Sequence, residues 1–94
     1  MRKLAWDSSF RRAFKRRTKK DPDLRQRIFE TLEVLANDPY SSSLKTHKLH
    51  GQLEGLWACS INFDLRIVFA FEPDPETGEE WIVLIDIGTH DEVY

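Results

Sequence analysis

Three histidines, one aspartate and one arginine carry the chemistry to be expected of this sequence. His47 and His50 sit in the basic run Leu44-Lys45-Thr46-His47-Lys48-Leu49-His50, and His90 sits in the ending Gly88-Thr89-His90-Asp91-Glu92-Val93-Tyr94. Asp64 and Arg66 open the segment Asp64-Leu65-Arg66-Ile67-Val68-Phe69. Metal-free cleavage of RNA needs these residue types. A base deprotonates the 2′-hydroxyl, a cation stabilises the charge gathering on phosphorus, and an acid protonates the departing 5′ oxygen. Imidazole suits either proton-transfer role because its ordinary pKa lies near neutrality. No zinc-ligand spacing, phosphate loop, or Ser/His/Asp or Cys/His order is visible, so neither a metal nor a cofactor is expected. Taken singly, each residue also has an ordinary explanation. Loop histidines are commonly solvated, an Asp before a strand commonly makes a turn, and an Arg on a sheet face commonly pairs with a carboxylate.

What these residues do together depends on the elements that carry them. Residues 2–6 read as a short strand, and Asp7-Ser8-Ser9 supplies helix N-caps. From Ser9 to Lys20 the period is helical: Phe10, Ala13 and Phe14 share one face, and Arg11, Arg12, Lys15, Arg16 and Lys19 cover the other. Arg17 falls on the apolar side and is expected to snorkel outward along its aliphatic stem. Asp21-Pro22 starts a second helix, with Leu24, Ile28, Thr31, Leu32 and Leu35 as its stripe, and Asp38-Pro39 ends it. Residues 40–55 read as mostly irregular. Three β segments follow, 56–63, 65–71 and 81–87, with an evident turn at Pro73-Asp74-Pro75-Glu76-Thr77-Gly78.

The order β-α-α-β-β-β, with helices grouped before a meander, predicts an α+β domain. Two antiparallel helices should cover one face of a small, mainly antiparallel sheet. Alternation in the second β segment puts Leu65, Ile67, Phe69 and Phe71 on one face and Asp64 with Arg66 on the other, away from the helices. Residues 81–87 are apolar on both faces, which predicts a central strand or one lying under the C-terminal tail.

With 94 residues the chain is expected to be a single domain over 1–94 with one modest core. A chain of this size buries only roughly 60–65% of its unfolded surface. Cys59 is the one cysteine; it can close no internal disulfide, which suits a reducing cytoplasm. No signal-peptide core follows the N-terminus, and nothing approaches the run of about 18 apolar residues that a membrane span needs. The net charge of −2 conceals an asymmetry: residues 1–50 hold 13 Lys/Arg against 6 Asp/Glu, and residues 51–94 hold one Arg against 10 Asp/Glu. Such a split suits a polyanion or a charged partner, although charged helices also solvate themselves.

The element order, the Leu44–Gly51 segment, the Asp64–Phe69 strand and above all the Gly88–Tyr94 ending resemble the toxins of the RelE/ParE superfamily, most closely the YafQ-like branch. The resemblance covers essentially the whole chain. It implies a ribosome-dependent mRNA endoribonuclease that cuts the message in the ribosomal A site and is silenced by a cognate antitoxin. That antitoxin would be acidic and of ribbon-helix-helix or similar type, so contact with DNA would be indirect, through it. By resemblance His90 matches the C-terminal catalytic histidine and Tyr94 its following aromatic. His47 matches the histidine of a His-x-Leu-x-Gly loop, Asp64 the aspartate before the third strand, and Arg66 the strand arginine of the RelE branch. Ser60 stands where YafQ-like sequences carry a further histidine, leaving Arg66 or His50 to compensate.

The implied roles are His90 as general acid, Asp64 or His47 as general base, Arg66 as phosphate stabiliser and Tyr94 as a stacking or positioning group, with His50 a further catalytic or positioning candidate. The basic helix face Arg11, Arg12, Lys15, Arg16, Lys19 and Lys20, with Lys45 and Lys48, would contact ribosomal RNA. The acidic turn between Glu72 and Glu80 would point away from it. Two competing functions use the same scaffold: a ParE-like gyrase poison, which needs no cleavage residues, and an inactive antitoxin-binding repressor module.

Overall fold

The computed structural model describes residues 1–93. The elements are β1 (Leu4–Trp6), α1 (Ser8–Thr18), α2 (Pro22–Asn37), β2 (His47–Lys48), β3 (Trp57–Ser60), β4 (Leu65–Pro73), β5 (Glu80–Thr89) and α3 (His90–Val93). Single-turn 3₁₀ segments lie at Ser42–Leu44 and Gly51–Leu53. The sheet has five strands in the order β1-β5-β4-β3-β2, antiparallel except for the parallel β1–β5 pair. The expected α+β architecture, two helices over a mainly antiparallel sheet, is the one observed.

Local chemistry sets the helix bounds. Asp7 caps α1, its carboxylate accepting from the Ser9 hydroxyl and the Ser9 N–H, and these bonds hold its carboxyl below its ordinary value. Asp21 caps α2 by accepting from the Leu24 N–H at 3.0 Å, with Pro22 in the first turn. Phe10, Ala13 and Phe14 of α1 and Ile28, Leu32 and Leu35 of α2 are buried. They meet Ile67, Phe69, Ile82, Leu84 and Ile87 on the helix-facing side of the sheet. The sheet register follows the same division. Trp57, Phe69 and Leu84 lie in one row across β3, β4 and β5, and Cys59, Ile67 and Ile87 in the next.

The double apolar character of residues 81–87 has two physical sources. β5 lies inside the sheet, between β1 and β4. It is also irregular. Val68 pairs with Asp86 while Phe69 pairs with Leu84, so β5 carries one extra residue, Ile85. The bulge lets Ile82, Leu84 and Ile87 reach one core despite their mixed parity, and Ile85 turns to the opposite face. There it joins Leu49, Leu53, Leu56, Ala58, Val68 and Val93 in a second, smaller cluster.

Two elements depart from the sequence expectation. His47–Lys48, read as irregular, forms the edge strand β2, with His47 opposite Ala58 and Lys48 opposite Trp57. The chain after β5 does not trail away but turns into α3, whose Val93 is buried on the face away from α1 and α2. Gly88 permits that turn. A Cβ placed there would stand 3.1 Å from Val93 Cγ2, so the buried Val93 side chain would have to give by a few tenths of an ångström. Gly88→Ala is therefore expected to lower stability by about 1–3 kcal/mol through overpacking. Urea denaturation checks this, and a variant as stable as the parent would show that α3 does not pack tightly on β5.

Candidate functional site

The site is built where β3, β4 and β5 reach a common end. Thr89 and Glu92 form a reciprocal cap for α3. The Thr89 N–H donates to Glu92 Oε1 at 2.7 Å, and the Glu92 N–H donates to Thr89 Oγ1 at 3.2 Å. Arg17 reaches across from α1 to tie this cap down, donating from Nη2 to Glu92 Oε1 at 3.0 Å and from Nε to the Ile87 carbonyl at 3.3 Å. Arg17 does not snorkel into solvent as expected; it pins the end of β5. The Thr89 N–H bond, the Thr89 hydroxyl and the Arg17 cation hold the Glu92 carboxyl below its ordinary value. His90, the first residue of α3, then donates its backbone N–H to the Asp64 carbonyl at 2.9 Å. One main-chain bond thus joins two residues that lie 26 positions apart in the sequence.

The β3–β4 turn is braced as fully. Asn62 Oδ1 accepts the N–H groups of Asp64 at 2.9 Å and Leu65 at 2.8 Å, an Asx turn. The Asn62 carbonyl accepts from Ser60 Oγ and from Arg66 Nη1, both at 2.8 Å. Arg66 Nη1 also lies 3.3 Å from the Phe63 carbonyl and 3.1 Å from the Leu65 carbonyl. From α2, Arg27 Nε donates to the Ile61 carbonyl at 2.8 Å. Ser60 therefore serves as a prop for the turn. Arg66 divides its donors: Nη1 holds the loop, while among the described residues Nε and Nη2 take no protein acceptor.

These features frame an open groove of about 740 Å³ lined by Arg27, Lys45, Ser60, Asn62, Phe63, Asp64, Arg66 and His90, with Ser43, Ile61 and Asp91 completing its wall. A shallower depression of about 300 Å³ adjoins it, lined by Lys45, His47, Arg66 and His90. The fold thus gathers Asp64, Arg66 and His90 in one groove and sets His47 beside them. Arg66 lies between Ser60 and Gly88 in one row of the open sheet face, and His47 lies in the adjacent row with Ala58 and Val68. His47 Nδ1 is 2.8 Å from the Lys45 carbonyl. A carbonyl only accepts, so Nδ1 carries the hydrogen and the neutral ring has its lone pair on Nε2. Lys45, which supplies that carbonyl, adopts a left-handed conformation with φ of 52°. His90 Nδ1 lies 3.7 Å from Asp91 Oδ1.

The other sequence candidates fall elsewhere. His50 lines a separate hollow with His47, Lys48, Leu49 and Val93. The Lys48 ammonium stands 5.5 Å from the Trp57 ring centroid. Arg11, Arg12, Lys15, Arg16, Lys19 and Lys20 are all exposed, and none of them lines the groove. Tyr94 lies outside the described residues. Arg27, Asn62 and Phe63 were not singled out from the sequence. Asn62 carried a readable signal, an Asn-x-Asp between two β runs, whereas Arg27 is one exposed cation on a helix that carries several polar residues. Cys59 is fully buried, and burial pushes its thiol up to about 12, so it is core and not nucleophile. Among the described residues no three His, Cys, Asp or Glu side chains converge as a metal site would require, and no helix is long and apolar enough to cross a membrane.

A five-stranded, mostly antiparallel sheet covered on one face by two helices is the YafQ/RelE-like fold of small toxins. The chain belongs to the YafQ family of bacterial toxins of type II toxin-antitoxin systems, whose profile matches residues 2–94. Its backbone is similar to that of YafQ from E. coli strain BL21(DE3), with a TM-score of 0.76 at 16% identity over 100% of this chain and 99% of the other. It is similar also to a YoeB/ParE toxin from Agrobacterium tumefaciens, with a TM-score of 0.75 at 19% identity over 96% and 99%. YafQ in the E. coli DinJ–YafQ complex gives a TM-score of 0.74 at 16% identity over 100% and 99%. No curated protein sequence matches the chain.

Two substitutions test the cap that holds His90. Thr89→Ala removes the side-chain acceptor and should lower stability by about 1 kcal/mol in thermal denaturation. Glu92 tests the charge. Because its folded pKa lies below the ordinary glutamate value of 4.5, its contribution is fully present above that value and is lost as pH falls through the lower, folded one. Melting from pH 7 to pH 3 should therefore destabilise the parent more than Glu92→Gln, and equal acid sensitivity would show that the Arg17–Glu92 tie contributes nothing to the fold.

Proposed function

We propose that this protein is a ribosome-dependent mRNA endoribonuclease that cleaves the message in the ribosomal A site by acid–base catalysis. The observation that carries this reading is the convergence of Asp64, Arg66 and His90 in one open groove, with His47 in the adjoining depression. The groove's three permanent cations, Arg27, Lys45 and Arg66, face two carboxylates, Asp64 and Asp91. That balance suits a phosphodiester.

In the proposed step the base takes the 2′-hydroxyl proton, and the 2′ oxygen forms a bond to phosphorus. The bond from phosphorus to the 5′ oxygen breaks, and His90 protonates the departing oxygen. The products are a 2′,3′-cyclic phosphate and a 5′-hydroxyl. His47 and Asp64 are the two candidates for the base. The hydrogen held on His47 Nδ1 by the Lys45 carbonyl leaves Nε2 as the accepting nitrogen, the state a base requires. The outward donors of Arg66 would meet the charge that develops on the phosphoryl oxygens. Tyr94, by resemblance, would stack on or position the substrate. His50, in its separate hollow, would act on a flanking part of the message.

The exposed α1 cations, Arg11, Arg12, Lys15, Arg16, Lys19 and Lys20, with Lys45 and Lys48, would bind ribosomal RNA. The partner that restrains the activity would be an acidic antitoxin laid against the basic half of the chain. The E. coli DinJ–YafQ toxin-antitoxin complex supports an antitoxin as the partner.

Single-turnover cleavage on programmed ribosomes, read by primer extension, tests the reading. His90 is exposed and bonds to the loop through its backbone, so His90→Ala should change stability by no more than about 0.5 kcal/mol. The same substitution should slow cleavage roughly 10²–10⁴-fold with ribosome binding intact. Cleavage at the parent rate would remove His90 from the mechanism, and damage to supercoiled DNA without any message cleavage would replace the whole reading with that of a gyrase poison.

Salt supplies an independent check on the α1 surface. Reversing two of the charges Arg11, Arg12, Lys15, Arg16 and Lys19 should flatten the salt dependence of ribosome binding by about one unit for each phosphate that is no longer neutralised. An unchanged slope in the folded double variant would assign this face to solvation or to the antitoxin.

A further inference from the structure

We propose that Phe63 and Arg27 form a subsite for a nucleotide next to the one held at Asp64, Arg66 and His90, Phe63 stacking on its base and Arg27 binding its phosphate. This deepens the endoribonuclease reading and rests on it for the identity of the ligand. Phe63 is 95% exposed, whereas phenylalanine ordinarily supplies core. Its exposure is not the result of a loose loop. The residue before it accepts four hydrogen bonds, two on Asn62 Oδ1 and two on the Asn62 carbonyl. The Phe63 carbonyl itself is within 3.3 Å of Arg66 Nη1. The backbone is braced on both sides of the ring, and the ring lines the groove in water.

Arg27 is attached to the same loop from the other side. Its Nε is spent on the Ile61 carbonyl, two residues before Phe63. Among the described residues its two terminal nitrogens take no protein acceptor, and the side chain is exposed at the groove wall. A planar guanidinium fork fits a phosphate. An exposed aromatic face next to fixed cations is the chemistry that holds single-stranded nucleic acid, since every base has a face to stack and every linkage a charge to neutralise. A base paired in a duplex presents no free face to Phe63, so the ligand is single-stranded.

The probe is a fluorescein-labelled 2′-O-methyl hexaribonucleotide, which lacks the attacking hydroxyl and so reports binding alone by anisotropy. Phe63→Ala should weaken binding roughly 5- to 150-fold with the salt slope unchanged, and Phe63→Trp should retain the affinity. Arg27→Ala should weaken binding and lower the slope by about 0.7, the value for one phosphate on a single strand. The proposal is overturned if the parent does not bind the probe, if Phe63→Ala binds as the parent does, or if Phe63→Leu matches Phe63→Trp. It is overturned too if Phe63→Ala loses only affinity for a co-expressed antitoxin, which would make the ring a protein contact. Message cleavage separates the two readings. A parent that cuts while Phe63→Ala keeps full affinity sinks the subsite alone, and a parent that binds through Phe63 but never cuts sinks the endoribonuclease alone.

Discussion

The bond on which the site depends most is the main-chain hydrogen bond from His90 to the Asp64 carbonyl, 2.9 Å long, and everything around it serves to keep its two ends in place. A four-residue helix has too few internal bonds to be stable alone. α3 exists because Thr89 and Glu92 cap each other, because Arg17 clamps Glu92 to the end of β5, and because Gly88 leaves room for Val93 to fold back. On the other side, Asp64 is held by Asn62, and Asn62 by Ser60 and Arg66. His90 and Asp64 therefore keep their mutual position although both residues are exposed. This arrangement suits a site that must be open to a large ligand, since the positioning groups are backbone and the working groups remain in solvent.

Arg66 illustrates how a residue can serve both levels. Its Nη1 closes the β3–β4 turn, and its remaining donors face no protein acceptor among the described residues. A lysine there would keep the charge, but its single ammonium could not close the turn and also present further donors to the groove. Arg66→Ala would therefore loosen the turn that carries Asp64 and remove a charge from the groove together. His90 differs, because its bond to the Asp64 carbonyl is made by the backbone, which every residue possesses, so its side chain can be exchanged without removing that bond.

Much of this organisation was legible from local signals, and the parts that were not have identifiable causes. Asp21-Pro22 and Asp38-Pro39 bound α2 because caps and prolines act within one turn. The Phe10, Ala13 and Phe14 face was plain because an amphipathic helix repeats its signal over several turns. The position of Arg66 on the open face followed from alternation that holds through β4, where Leu65, Ile67, Phe69 and Phe71 all face the main core. β2 could not be read from its own residues, since two residues have no period and His47–Lys48 becomes a strand only by pairing with β3. The bulge at Ile85 hid the alternation of β5, because one inserted residue exchanges the faces of everything after it. α3 was missed despite a local signal, as Thr89-His90-Asp91-Glu92 has the spacing of a capping box. Arg27 could not have been found at all: its role depends on how α2 lies against the β3–β4 turn, which is a property of the packed molecule.

The two faces of the sheet divide the energetics. The helix-covered face holds the main core, including Phe10, Ile28, Phe69 and Leu84, all fully buried. Among the described residues the opposite face has a smaller cluster, in which Leu49, Leu53 and Leu56 of the connections around β2 and Val93 of α3 pack on Ala58, Val68 and Ile85 of the sheet. Those elements bury little apolar surface of their own, so side-chain-to-backbone bonds must hold what packing does not. Single substitutions in these bonds would then loosen the site locally while the main core stays folded. Substitutions such as Phe69→Ala would have the opposite character, unfolding the whole domain through a cavity of the kind that lowers stability by about 3–5 kcal/mol. The open face is thus energetically the weaker one, and the geometry of the groove depends on a few named hydrogen bonds more than on bulk burial.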